Sequence, residues 1–167
     1  MAIDATIGGT SSDSYATVAQ ADSYHADHLY ATTWTTTSSK QETALKMATR
    51  LLDERVSWSG SVAATTQALR WPRSNAYTED NILISSSVIP QAIINATSEL
   101  ARHLINSDLT VDTEGKGIKS LDVDTISLEF DKSDSRDVLP QIVIEMLRGY
   151  GSINSRSKFG TVAVIRS

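Results

Sequence analysis

The stretch IPQAIINATSELARHLI, residues 89 to 105, constrains the fold more than any other in the chain. Pro90 presets φ and has no N–H, which suits the first position of a helix, where that N–H would lack a partner. Behind it Ile93, Ala96, Thr97, Leu100, His103 and Leu104 recur at spacings of three and four and so line one face. Ala92, Ile94, Ala101 and Ile105 add a second apolar set. Glu99 and Arg102 fall off the stripe and are expected to face water. A helix apolar over more than one stripe packs between neighbours. This one is expected at the centre of the core, with Ile93, Leu100 and Leu104, and Trp58 from elsewhere, as anchors.

Three more helices are expected around it. Thr17 with Gln20 reads as a capping box, opening a helix to about Leu29 with Val18, Ala21, Tyr24, His25 and Leu29 on one side. Trp34 anchors a polar loop over 32–37. Ser38 with Gln41, or Ser39 with Glu42, caps the next helix, whose stripe is Ala44, Leu45, Ala48, Leu51, Leu52 and Val56. Pro140 opens a short last helix with Ile142, Val143, Met146 and Leu147 on one face, ended by Gly149 and Gly151. Between 118 and 130 the chain alternates apolar and polar around Asp124-Thr125, which predicts a hairpin over about 117–131. Residues 1–13 read as an extended or mobile arm, 14–150 as the helical domain and 151–167 as a tail.

Residues 60–88 show no sustained period, and a loop this long in a compact domain is functional or wraps a partner. Trp71 precedes a proline and must be extended. Two roles are open for Trp71 and Arg73: pinning the loop onto the core, or contacting a neighbouring subunit together with Tyr77, Leu121, Leu128 and Phe130.

Composition narrows the chemistry. The 167 residues hold no cysteine, so neither disulfides nor thiolate sites arise. The N-terminus lacks the basic start and apolar core of a secretory signal, and no apolar run approaches the ~20 residues of a membrane span. A cytosolic chain, or one in a particle assembled in the cytosol, is expected. Net charge is −5, unevenly placed: after Glu145 come Arg148, Arg156, Lys158 and Arg166 and no acid, leaving a balance of −9 before them. Such a basic tail on an acidic body suits docking elsewhere, or is a plain solvated terminus.

Catalytic and metal constellations are sparse. Asp22, His25 and His28 can share a helical face, but no further segment supplies a strong ligand for a metal. Asp108, Asp112 and Glu114 lack the spacing of a calcium loop, and no phosphate-binding glycine loop or Gly-x-Ser-x-Gly elbow is present. No catalytic residue, metal or cofactor is expected, and a non-enzyme is the reading. The acidic body, with aromatics at 6%, argues against strong nucleic-acid binding; only the tail is basic, with Tyr150 and Phe159 as its aromatics.

The ordered set of DSY at 13–15 leading into VAQADSYHADH, Trp34 before KQETALKMATRLLDERVSW, TQALRWPRS, VIPQAIINATSELARHL and IKSLDVDTISLEF resembles the small head–tail connector, or adaptor, proteins of tailed phages. Many of these carry the label of DnaT-like single-stranded-DNA-binding proteins. The resemblance spans roughly 13–147. It implies a mainly α fold, a four-helix adaptor-like bundle with a β-hairpin and extended terminal arms. It also implies a virion neck location, a ring (a dodecamer) beneath the portal, and an onward neck or tail-completion partner. Genomic double-stranded DNA would pass through the channel without sequence-specific contact. On that reading the tail docks on the portal through Arg156, Lys158, Phe159, Val162, Val164, Ile165 and Arg166, with FGTVAVI adding a strand. Removing 152–167 is expected to abolish that docking and spare the fold. The rival is the DnaT-like label itself, a replication role with salt-sensitive affinity for single strands. A helical interaction module of no stated pathway is a third reading, and an enzyme the least favoured.

Overall fold

The computed structural model describes residues 2–35, 37–111 and 138–154, together with the backbone of 120–123 and 126–129. Its regular elements run in chain order as α1 (Val18–Ala26), a 3₁₀ turn (Thr32–Trp34), α2 (Ser38–Arg55), β1 (Val56–Trp58), β2 (Ser61–Val62), β3 (Arg73–Ser74), α3 (Gln91–Asn106), β4 (Ser120–Val123), β5 (Ile126–Glu129), α4 (Gln141–Met146) and β6 (Gly151–Ile153). The fold is mainly helical, and α3 packs against α1, α2, α4 and the 3₁₀ turn. None of the described helices is long and apolar enough to cross a membrane.

The α1 capping box forms: Gln20 N–H donates to Thr17 Oγ1 at 3.2 Å, and Thr17 N–H to Gln20 Oε1 at 2.8 Å. The helix stops at Ala26, short of Leu29, because the His28 ring takes the Tyr30 N–H at 3.1 Å. Leu29 is therefore 82% exposed, not on the buried side. Neither box expected at α2 forms. Thr37 is the N-cap, and Gln41 reaches back to the Trp34 carbonyl and to Asp22. Val56 leaves the helical stripe to begin β1. Pro90 is the N-cap of α3, one residue outside the helix, with φ −54° and ψ 140°.

In the core, Ile93, Ala96, Thr97, Leu100 and Ala101 of α3 meet Leu45, Ala48 and Leu52 of α2 and Val143 and Leu147 about α4, all essentially inaccessible. Trp58, Ile93 and Leu100 are buried as expected, and Leu104 is half-buried. Burying a Leu or Ile side chain contributes about 1.5–3 kcal/mol. Ile142, expected on the buried face of α4, is exposed, whereas Leu139 just before the helix is buried.

The small sheets staple the ends of the helices. β1 pairs antiparallel with β6, Val56 opposite Ile153 and Trp58 opposite Gly151. No side chain fits at 151, where a Cβ would stand 2.6 Å from the Ser57 carbonyl oxygen. Residues 151–153, placed by sequence in a docking tail, thus belong to the body. The expected hairpin is present, with Leu121 opposite Leu128. The first residues fold back and do not project as an arm: Asp13 N–H donates to the Asp4 carbonyl at 2.8 Å and Asp4 N–H to the Asp13 carboxylate at 2.9 Å.

Candidate functional site

α1 and α3 lie side by side, and their seam opens into a cleft of about 680 Å³. Ala19, Gln20, Ser23 and Tyr24 line it from α1, Asp27 and His28 close one end, and Gln91 and Asn95 form the wall from α3. The spacings explain the grouping, since residues three and four apart share a helix face. Gln91 Nε2 donates to Asn95 Oδ1 at 2.9 Å. The rings of Tyr24 and His28 are 6.5 Å apart and tilted by 54°. Among the described residues no Lys or Arg lines the cleft, and the one carboxylate lining it is Asp27.

Beside the cleft lies Glu99, fully buried. Its position on α3 puts Arg102 one turn on at i+3 and His103 at i+4. Arg102 Nη2 donates to Glu99 Oε1, its Nε reaches Oε2 at 3.4 Å, and His103 Nε2 stands 3.3 Å from Oε1. Burial alone would push this carboxyl up, but the Arg102 guanidinium holds it below the usual carboxylate range. Burial, and after it the negative charge of Glu99, raises the Tyr24 phenol. The expectation that Glu99 and Arg102 face water is corrected: an apolar stripe marks where hydrocarbon goes, but a compensated charge can be buried off it.

His25 lies one layer deeper. Its Nε2–H donates to the Ser98 carbonyl at 3.0 Å, while the buried Nδ1 has no partner. Its ring packs on Trp34 with centroids 4.6 Å apart, and burial lowers its pKa. The imagined metal face over Asp22, His25 and His28 is otherwise employed. Asp22 accepts from the Trp34 indole at 2.7 Å and from Gln41, and His28 accepts from Tyr30. Among the described residues no group of three His, Asp or Glu is placed to hold a metal ion.

The loop residues proposed for a subunit interface divide. Trp71 is 1% exposed and stacks edge-on against Trp58 and Tyr150, and its preceding-residue position leads into a cis peptide bond to Pro72. Arg73 is 9% exposed and donates to three carbonyls, Ser59 at 2.6 Å, Gly60 at 2.7 Å and Arg70 at 3.1 Å. Both point inward and pin the loop, which corrects the interface reading for them. Asp53 completes this pin: it accepts from the Tyr15 hydroxyl, from the Trp58 indole at 3.1 Å and from Arg70 N–H at 3.2 Å. Burial pushes the Asp53 carboxyl up against those bonds. Tyr77 does stay exposed, bridged to Leu83. Leu121 and Leu128 sit on paired strands, and Phe130, Arg156, Lys158, Phe159, Val162, Val164, Ile165 and Arg166 lie outside the described residues.

Sequence reasoning placed Glu99 in water and passed over Asp53. For Glu99 the signal was available in the Glu-x-x-Arg-His spacing; for Asp53, whose partners lie at 15, 58 and 70, no local pattern exists.

No curated protein and no solved structure matches the chain. A family model described as "Putative DnaT-like ssDNA binding protein" matches residues 1–167. This overturns the head–tail connector reading, and with it the phage neck and virion terms, in favour of the rival that the sequence had placed second. The acidic composition that counted against DNA averages over the whole chain and says nothing about a local surface. The chain belongs to the family of DnaT-like single-stranded-DNA-binding proteins.

Proposed function

We propose that the protein binds single-stranded DNA and acts as a binding protein, without catalysis. The observation that carries this is the family match over the full 167 residues. Two physical features support it. The α1–α3 cleft presents the rings of Tyr24 and His28 beside amide groups, and unpaired bases offer both a face to stack and an edge to hydrogen-bond. The sequence after Glu145 carries Arg148, Arg156, Lys158 and Arg166 with no acid, a source of charge for phosphates.

Fluorescence anisotropy with labelled single-stranded oligonucleotides and their duplexes, at low ionic strength, tests this. Saturable binding of the single strands, weakened by salt and stronger than duplex binding, is expected. Absence of binding to any single strand, or a preference for duplex, overturns the proposal.

A further inference from the structure

We infer that the α1–α3 cleft is a nucleobase subsite that favours bases bearing an exocyclic amino group, as cytosine and adenine do, over thymine, which has none. The inference deepens the single-strand reading above and rests on it. A family description of DNA binding assigns neither a place nor a base preference.

The cleft is open and, at about 680 Å³, has room for a base with its sugar outside. The Tyr24 ring sits edge-on against the buried His25 ring, with centroids 4.9 Å apart. A ring held this way loses little freedom on stacking, which favours binding. Base–aromatic stacking supplies affinity and is tolerant of sequence. Discrimination must come from the polar wall. Gln91 and Asn95 carry amides, which both donate and accept, and so accommodate many base edges. Asp27 differs: an ionised carboxylate only accepts. Among the described residues it is the one carboxylate of the lining, and no Lys or Arg there neutralises it. It therefore repels a phosphate and seeks N–H groups. The amino groups of cytosine and adenine offer two N–H each, whereas thymine presents carbonyls around a single ring N–H. A carboxylate accepting from the cytosine amino group is an established pairing.

The test compares labelled homopolymers of deoxycytidine, deoxyadenosine and thymidine by anisotropy with the full chain. The wild type is expected to bind the first two at least about tenfold tighter than the third, the scale of one added hydrogen bond to a charged acceptor. Asp27→Asn, at an exposed position just after α1, should remove the preference. Ala19→Trp, an exposed helical site at the cleft wall, should weaken all three. Thermal melting of each variant verifies that it is folded, and Asp27→Asn alone suffices if Ala19→Trp is not. Wild-type binding without base preference, or a preference unchanged by Asp27→Asn, overturns the cleft assignment and leaves single-strand binding standing. No binding of the wild type to any homopolymer overturns both.

Discussion

Glu99 shows what a single buried charge costs and what restores it. The carboxylate has no exposure, whereas the Arg102 side chain keeps 16%. Removing either partner breaks the pair, but the survivors differ. After Glu99→Ala, Arg102 can turn its head to water along its own stem. After Arg102→Ala, the carboxylate stays buried with His103 as its remaining basic neighbour on α3 and must take up a proton. Arg102→Ala is therefore expected to destabilise more than Glu99→Ala, by roughly 3 kcal/mol or above, as urea denaturation of the two variants would show; the reverse order would contradict the geometry. Because Glu99 is held below its ordinary value, its contribution is present above that value and is lost as pH falls through the folded-state pKa. His25 works in a higher window. Burial depresses its pKa below 6.5, so the unfolded chain takes the proton first. Stability should then fall as pH drops below 6.5 and level off beneath the folded-state value. The difference in melting temperature between wild type and His25→Gln, followed across that range, isolates this contribution and should shrink in acid.

Among the elements, the helices were legible and the loop between β2 and α3 was not. Periodicity of three and four located α1, α2, α3 and α4 because each buries one face against the others. The cap of α2 misled for a definite reason: Gln41 has the right spacing from Ser38, but its amide is drawn to Trp34 and Asp22 across the fold. Residues 60–88 carry no period because what holds them is a set of long-range bonds to main-chain carbonyls. Arg73 makes three of these, and a lysine cannot, since its single ammonium lacks the planar fork. Arg73→Lys should thus destabilise nearly as much as Arg73→Ala, by about 2 kcal/mol in either case, measurable by chemical denaturation. Full rescue by lysine would mean that charge, not geometry, holds the loop. The cleft was half-legible: the sequence placed Tyr24 and His25 on the inner side of α1, but which α3 residues faced them depended on the crossing of two helices.

For the molecule as a whole, net charge and binding mode must agree. A chain of net charge −5 repels nucleic acid at long range. Affinity then depends on short-range contacts and on few cations. With Arg148, Arg156, Lys158 and Arg166 as the phosphate-facing charges, and a slope of ~0.7 per phosphate for single strands, the logarithm of affinity should fall with the logarithm of salt no more steeply than about −3. A titration of anisotropy against salt reads this slope, and a much steeper one would require a basic surface that the cleft lacks. The pairing of β6 with β1 has a further consequence, one of timing. Residues 56–58 find their partners only at 151–153. During synthesis the first two helices leave the ribosome long before that strand exists, with Trp58 still waiting for Gly151 to lie across from it. The body cannot close progressively from its beginning: β1 stays unpaired until residues 151–153 have been made.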